Sequence, residues 1–373
     1  LDLEPDKPSS QSQLFADSLY KFHRERAFHY STKVINSKVI HLLQHMYGIQ
    51  AAMTMPAMVV SEIGQQPQQI PWKIPAPAAH DVSVKISACG LNFADLLMIK
   101  GEYQDTPVVP FVPGMEIAGE IQAIGPDVTE FKLGQRIAAF CGHGGLAGET
   151  LVQAARCIAL PETMDDVTAA AFPIAYGTSH LALGHRARLQ AGETLVVLGA
   201  AGGVGLTAVE IGKALGARVI AVARGQDKQA LARTAGADEV IDSETDDLLG
   251  ALRDLGPIHV AYDPVGGAAG EAALRALGPE GRHLLIGFAS GDLPRLRPNH
   301  LLVKNTTVIG FNWGGYLAFA PDVLRESLAE LVKWHAAGRI QPHVSQVLPF
   351  ERASEGLEML RTRRATGKIV VRL

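Results

Sequence analysis

Residues 194–224 read TLVVLGAAGGVGLTAVEIGKALGARVIAVAR and decide the fold class of the chain. The apolar, β-prone run 195–198 predicts a buried strand, and the glycines that follow predict a tight turn. Apolar residues then recur at helical spacing up to Gly216, which is expected to end the helix, and residues 219–223 predict a second buried strand. Strand, turn, helix and strand in this order are typical of a parallel α/β sheet.

The glycine turn predicts a dinucleotide site. Glycines let backbone N–H groups approach a pyrophosphate closely, and the positive end of the following helix faces the same anion. We predict that this contact is made by Ala201, Gly202, Gly203, Val204 and Gly205. A strand-to-helix turn without a ligand is the alternative, but these glycines stand in the context that a nucleotide motif requires.

The end of the second strand indicates which dinucleotide is bound. Sites for NAD place Asp or Glu there to accept hydrogen bonds from the ribose 2′-hydroxyl. This chain has Arg224 at that position and Lys228 four residues later. Two cations favour the 2′-phosphate of NADPH, although a solvated Arg and Lys at a helix start is the alternative interpretation.

The composition is that of an ordinary globular protein with room for two domains. The chain has 373 residues, of which 47% are hydrophobic and 19% charged, and a net charge of -4. This balance gives no basic surface for nucleic acid, and no apolar run is long and glycine-poor enough for a membrane helix. Three widely spaced cysteines fit a reducing cytoplasm better than a disulfide framework.

Residues 1–54 differ from the rest of the chain. They are rich in Ser, Gln, His and Lys and lack periodicity outside one candidate amphipathic helix at residues 34–47. The text MPAMVVSEIG from Met55 resembles the natural beginning of a first strand. We therefore predict that residues 1–54 are a disordered or non-native extension, with a regulatory arm as the alternative.

The remaining residues predict two domains. Short strands separated by Gly and Pro over residues 56–175 predict a small, mostly β domain. Strands and helices alternate from residue 178 to about residue 310, which predicts a doubly wound parallel sheet. Short strands return after residue 340, and this end of the chain is expected to complete the first domain.

Several motifs besides the glycine turn resemble one family. They are CGLNFADLLMIKGEY at 89–103, VPGMEIAGEI at 112–121, VAYDPVGG at 260–267, LLIGFASG at 284–291, VKNTTVIGFNWG at 303–314 and TGKIVV at 366–371. In this order they resemble the zinc-independent, zeta-crystallin-like NADPH:quinone oxidoreductases of the medium-chain dehydrogenase/reductase superfamily. The resemblance implies a GroES-like catalytic domain at residues 55–177 and 319–373 and a Rossmann NADPH-binding domain at 178–318. It also implies a cleft between the domains and a homodimer formed through the strand at 307–311.

The zinc-ligand positions of the wider superfamily are altered in this chain. Zinc-dependent relatives carry Cys, His and Cys where this chain has Asn92, Met115 and, near the third place, Ile174. An amide, a thioether and an alkyl chain do not supply the Cys and His set of a catalytic zinc, so we expect no bound metal. Hydride transfer to a conjugated carbonyl compound, without a Lewis acid, is then the expected chemistry.

The resemblance places three candidate catalytic residues at the substrate end of the cleft. Tyr103 is assigned as hydrogen-bond donor to the acceptor oxygen, Asn92 as a polar positioner and Asp95 as an orienting group. In the alternative interpretation Asn92 caps a turn, Asp95 caps a helix beginning at Leu96, and Tyr103 packs as a loop aromatic. Some relatives carry a second Tyr at the position of Leu97, so a more apolar pocket is expected here.

Further contacts follow from the same resemblance. Thr178 is expected to contact the nicotinamide, and Gly287 and Phe288 are expected to lie where dinucleotides cross the carboxyl ends of an open sheet. Asn312 and Trp313 are expected to line the substrate side.

Fold alone leaves more than one function open. The leading hypothesis is an NADPH-dependent quinone reductase. The alternatives are a reductase for the double bond of an enone, alkenal or enoyl thioester, and a non-catalytic, crystallin-like protein. Glu116, His143 and His180 are expected to have structural roles.

Overall fold

The computed structural model describes residues 55–373. The predictions about residues 1–54 lie outside the described residues. No helix in the described range is both long enough and apolar enough to cross a membrane.

Antiparallel strands dominate the first part of the described chain, as the spacing of Gly and Pro predicts. The strands are β1 (Met55–Val59), β2 (Gln68–Trp72), β3 (Asp81–Leu91), β4 (Glu116–Ile124), β5 (Arg136–Phe140), β6 (Glu149–Gln153) and β7 (Cys157–Ala159). The helices of this part are α1 (Phe93–Lys100), α2 (Asp166–Ala170) and α3 (Pro173–His180).

The middle of the chain alternates strands with helices. The strands are β8 (Thr194–Leu198), β9 (Arg218–Ala223), β10 (Glu239–Asp242), β11 (Ile258–Asp263), β12 (Leu277–Leu285) and β13 (Thr307–Gly310). The helices are α4 (Gly203–Ala214), α5 (Gln226–Thr234), α6 (Leu248–Asp254), α7 (Gly267–Ala276) and α8 (Pro298–Lys304). These strands form a parallel sheet in the order β10-β9-β8-β11-β12-β13, which confirms the predicted doubly wound fold class.

The end of the chain returns to the first sheet. It contains α9 (Tyr316–Phe319), α10 (Pro321–Ala336), β14 (Val344–Pro349), α11 (Ala353–Arg361) and β15 (Lys368–Arg372). Strands β14 and β15 complete a sheet in the order β14-β15-β3-β4-β5-β7, with β6 also paired to β3. Because β15 pairs directly with β3, the last residues of the chain lie beside the segment that leads into α1.

Alternation along the strands of the parallel sheet produces two apolar layers. Leu195 and Val197 of β8 point into the large core shared with the antiparallel sheet, whereas Val196 and Leu198 point into a second core on the opposite face. A buried strand with both faces covered explains the continuous apolar run in the sequence.

Two element boundaries differ from the sequence predictions. The sequence predicts a strand at residues 283–288, whereas strand β12 begins earlier, at Leu277, and ends at Leu285, so Phe288 lies in the loop beyond it. A register shift against β11 accommodates the GPEG segment, in which Glu280 adopts a φ of 60°, and this bulge hides the strand from a pattern search. Helix α1 begins at Phe93 rather than at Leu96.

Candidate active site

The glycine turn between β8 and α4 packs tightly against the strand that precedes it. A Cβ atom at Gly205 would lie 2.1 Å from the carbonyl oxygen of Gly199, so only glycine fits there. Helix α4 begins at Gly203, and the first N–H groups of a helix have no partner within it. The turn therefore presents backbone donors and a positive helix end, the arrangement that binds a pyrophosphate.

The last strand of the chain joins this turn to the antiparallel sheet. Gly367 forms a bridge with Gly202, and its N–H donates to the carbonyl of Ala201 at 2.8 Å. Gly367 has a φ of 52°, and a Cβ there would lie 2.4 Å from the carbonyl oxygen of His343, which accounts for glycine at this position. The predicted cofactor turn and the predicted catalytic domain thus meet at Gly367.

A buried polar cluster lies directly beside this contact. The ammonium group of Lys368 donates to the carbonyl of Leu91 at 2.8 Å, to Oδ1 of Asn92 at 2.7 Å and to Oε1 of Glu116 at 2.7 Å. The other carboxylate oxygen of Glu116 accepts the backbone N–H of Ile174 at 2.8 Å. Glu116 therefore ties α3 to the antiparallel sheet, in line with its expected structural role.

Strand register brings these residues together. Strands β15 and β3 pair antiparallel with Ile369 opposite Leu91, so the residues next to that pair, Lys368 and Asn92, lie side by side. Strands β3 and β4 pair with Gly90 opposite Glu116, which places the carboxylate on the same side of the sheet. Lys368 was not among the predicted site residues, although a lysine at the start of the apolar strand IVV indicates a charge that requires a buried partner.

The carboxamide of Asn92 is fully engaged on its nitrogen side. Its Nδ2 donates to Oε1 of Glu116 at 2.9 Å and to the carbonyl of Gly90 at 3.3 Å. An amide nitrogen has two protons to donate, and its oxygen can accept two bonds. With Lys368 taking one of those two, the amide oxygen of Asn92 keeps one acceptor position without a hydrogen-bond partner in the described chain.

The carboxylate of Asp95 is buried and bonded to backbone N–H groups. Its side chain is 0% exposed, and its carboxylate accepts the backbone N–H of Asn92 at 2.8 Å and that of Gly114 at 2.9 Å. Burial raises the pKa of Asp95 to about 6, against the lowering effect of those two N–H groups. Asp95 thus orients the backbone of the loop that carries Asn92, from the third position of α1, and its predicted role as an orienting group at the substrate end of the cleft stays a prediction.

Tyr103 lies in the loop that follows α1 and is half-buried against the core. Burial raises the pKa of Tyr103, and the charges of Asp105 and Asp95 raise it further. The hydroxyl therefore keeps its proton at neutral pH and is able to donate a hydrogen bond, as its predicted role requires.

The positions that match zinc ligands in relatives surround Glu116. The amide of Asn92 and the backbone N–H of Ile174 both donate to its carboxylate, and Met115 is buried beside it. Within residues 55–373 no group of three His, Cys, Asp or Glu side chains is arranged to hold a metal ion. The cation that pairs with Glu116 is the ammonium of Lys368, so the donor set does not fit a catalytic zinc.

The two cations predicted for a 2′-phosphate lie close to each other at the end of β9. Arg224 is exposed, and burial together with the charge of Arg224 lowers the pKa of Lys228. The ammonium of Lys228 donates to the backbone carbonyl of Arg363 at 2.8 Å. The two positive charges repel each other, and an anion bound between them would be attracted by both, so this place favours an anion.

Other predicted contact residues occupy the carboxyl ends of the parallel strands and the junction with the first sheet. Gly287 and exposed Phe288 lie in the loop after β12, and Thr178 is buried on α3. Trp313 is 5% exposed, packs edge-on against Phe140, and its indole N–H has no hydrogen-bond partner in the described chain.

The remaining predicted residues differ in exposure and bonding. Asn312 is exposed. Burial lowers the pKa of His143, as does the charge of Arg156. His180 is bonded through Nδ1 to Ser327 at 2.8 Å, as expected for a structural histidine.

Comparison with known proteins extends over both sheets. The alcohol dehydrogenase GroES-like domain family matches residues 78–162, and the zinc-binding dehydrogenase family matches residues 203–334. Quinone oxidoreductase-like protein 2 of Bos taurus is 36% identical over 320 residues, which cover 85% of this chain and 89% of that protein.

Solved structures give the same result. The quinone oxidoreductase of Thermus thermophilus, also solved in complex with NADPH, is 34% identical with a TM-score of 0.75 and covers 86% of this chain and 100% of its own. Escherichia coli quinone oxidoreductase complexed with NADPH is 27% identical with a TM-score of 0.78 and covers 86% of this chain and 99% of its own.

Proposed function

The chain belongs to the quinone oxidoreductase family of the medium-chain dehydrogenase/reductase superfamily, and from this premise we propose that it is an NADPH-dependent quinone reductase that works without zinc. The proposal includes a GroES-like catalytic domain at residues 55–177 and 319–373 and a Rossmann domain at residues 178–318. Family membership makes the protein an oxidoreductase, and the choice of acceptor is the part that we infer.

One observation supports the proposal: a nucleotide-binding turn adjoins a polar cluster in which the ammonium of Lys368 pairs with Glu116, and this cluster has no Cys or His at the positions that match zinc ligands. The turn meets the cluster through Gly367 and Lys368. Without a Lewis acid to stabilise an alkoxide, alcohol oxidation is disfavoured, whereas a conjugated carbonyl compound accepts a hydride directly. Bound NADPH would supply that hydride.

The protein then has four tasks, the first of which belongs to its backbone and the others to side chains. The glycine turn holds the pyrophosphate, and Arg224 with Lys228 pairs with the 2′-phosphate. Tyr103 donates a hydrogen bond to the oxygen of the acceptor, where negative charge develops. Asn92 accepts a hydrogen bond from a ligand O–H or N–H and so fixes its position, which is an orienting contribution.

We propose a homodimer formed through the free edge of the parallel sheet. In the described chain β13 pairs only with β12, so one side of β13 has unpaired backbone groups. The neighbouring helix α8 exposes Leu302 at 77% and Val303 at 71%. A second copy related by a two-fold axis would cover both features, and light scattering of the purified protein would test it.

We also propose a cytoplasmic location. All three cysteines are buried free thiols, a state that fits a reducing compartment. Fractionation of the native cells would test it, and recovery of the protein from an oxidising compartment would contradict it.

An NADPH-oxidation screen over quinones, enones and enoyl thioesters tests the proposed activity. We expect quinones to be preferred by more than tenfold, which corresponds to about 1.4 kcal/mol of discrimination between transition states. A preference of that size for enones or enoyl thioesters would replace the quinone assignment with double-bond reduction. Full activity after chelation and the absence of stoichiometric zinc are expected, and metal that survives chelator washing would overturn the zinc-independent mechanism.

A further inference from the structure

We propose that Lys368 is a positioning residue that fixes the orientation of the Asn92 carboxamide, so that its oxygen is the atom available as an acceptor on the cleft side. Lys368 also links this orientation to the position of the glycine turn. The inference rests on the proposed function only for its kinetic consequence. The orientation itself is a property of the protein without cofactor.

The ammonium of Lys368 has no spare proton. Its three donors are matched by three acceptors at 2.7–2.8 Å, and the side chain is 6% exposed. A buried ammonium is tolerated only when it is paired and hydrogen-bonded, which the carboxylate of Glu116 provides. Lys368 therefore acts only as a donor, and whatever atom faces it must be an acceptor.

This requirement determines which way the Asn92 carboxamide points. In the observed orientation the oxygen faces the ammonium, and the nitrogen faces Glu116 and the carbonyl of Gly90. A rotation by 180° would place the amide protons against the ammonium and the amide oxygen against a carboxylate. Both contacts would be repulsive, so the charges of Lys368 and Glu116 together allow only one orientation of the Asn92 carboxamide.

The same lysine touches the predicted cofactor turn. Its predecessor, Gly367, donates its N–H to Ala201, and a Cβ added to Gly203 would lie 3.4 Å from Cδ of Lys368. The aliphatic part of Lys368 thus lies against the first residue of α4, while its ammonium holds Asn92. A shift of the turn moves the group that orients Asn92.

The position of the Lys368–Glu116 ion pair favours a positioning role for Lys368 over a purely stabilising one. A buried ion pair costs desolvation energy that its attraction only partly offsets, so a neutral pair of similar size is often equally stable. Here the pair also fixes a third side chain that retains one acceptor position toward a ligand. Lys368 acts on that ligand through Asn92 and does not touch it.

The first measurement uses the protein without NADPH. Selective ¹⁵N labelling of asparagine, with Asn92→Ala to identify the signal, reports the hydrogen exchange of the Asn92 side-chain amide. We expect both protons to exchange slowly in the wild type, and faster by at least tenfold in a Lys368→Met/Glu116→Gln double variant. Rapid exchange of both protons in the wild type would overturn the proposal, even if the double variant fails to fold.

The second measurement is a kinetic cycle with the acceptor that the wild type prefers. The double variant should lose at least tenfold in kcat in the wild-type background and less than twofold in an Asn92→Ala background. Equal losses in both backgrounds, or a loss under twofold in the wild-type background, would overturn the proposal. Lys304→Met is the matched control, because that lysine also donates to backbone carbonyls, those of Arg275 and Leu277, but far from the site along the chain.

Failure of the proposed function gives a different pattern. In that case the wild type oxidises NADPH with none of the acceptors, whereas the exchange measurement still reports the orientation of Asn92.

Discussion

Replacing Arg224 by Ala should weaken NADPH binding by about tenfold and leave NADH binding nearly unchanged, because about 1.4 kcal/mol of charge pairing is lost only with the phosphorylated cofactor. Arg224 is exposed at the end of β9, and Lys228 lies near enough for the two charges to affect each other. The effect is therefore electrostatic and specific to the 2′-phosphate.

The magnitude follows from the exposure of the two side chains. A pair of unit charges about 4 Å apart gains about 1 kcal/mol in bulk water and about 4 kcal/mol near a protein surface of effective dielectric constant about 20. Exposed Arg224 belongs near the lower limit. Lys228 is half-buried, and loss of Arg224 removes the repulsion that, together with burial, lowers the pKa of Lys228. Lys228 therefore retains part of the affinity, which is why we expect a partial loss.

The assay is titration of each cofactor by fluorescence, together with KM for NADPH and NADH at low and high salt. At about 1 M salt the screening length falls to about 3 Å, so the Arg224 effect on NADPH should shrink. Arg233→Ala is the matched control, since Arg233 is an exposed arginine on the same helix, α5, at its opposite end. Equal losses for NADPH and NADH, or an equal loss in the control, would refute the assignment.

Three further changes test other parts of the site. Gly205→Ala brings a Cβ to within 2.1 Å of the Gly199 carbonyl oxygen. The substitution should therefore lower the free energy of unfolding by about 1–3 kcal/mol and also lower the affinity for NADPH. An unchanged midpoint of denaturant unfolding would contradict this expectation. Tyr103→Phe should lower kcat for quinone reduction by about tenfold or more with little change in NADPH affinity, and wild-type turnover would remove its donor role. Asp95, with its pKa raised to about 6, binds its proton more tightly in the folded protein than in the unfolded chain. The stability of the wild type relative to Asp95→Asn should therefore fall by up to about 3 kcal/mol as the pH rises from about 4 to about 6, and a constant difference across urea titrations in that range would refute the pKa shift.

Much of the fold was accessible from local pattern. The apolar runs of β8 and β9, the glycine turn and the helical spacing of α4 each depend on neighbouring residues, and all were predicted correctly in kind. The start of β12 was missed because a bulge with Glu280 at positive φ interrupts its pattern. Propensity describes a regular strand and gives no signal for an irregular one.

The candidate site was predicted only in part, because its polar contacts join distant segments. Asp95 was predicted as an orienting group from its motif, but its partners, the backbone N–H groups of Asn92 and Gly114, are visible only in the folded chain. Lys368 was overlooked because its partner Glu116 is 252 residues away in the chain. The roles of Tyr103, Thr178 and Arg224 stay predictions.

The sequence by itself determined the parallel α/β fold, the nucleotide turn and the absence of a Cys and His set at Asn92 and Met115, since each depends on residue type at short spacing. Only the tertiary structure decided which cation pairs with Glu116 and which way the carboxamide of Asn92 points. Pairing of β15 with β3 and of β3 with β4 brings Lys368, Asn92 and Glu116 within hydrogen-bonding distance. Strand register depends on the packing of the whole sheet, so the charges that orient Asn92 become visible only once the chain is folded.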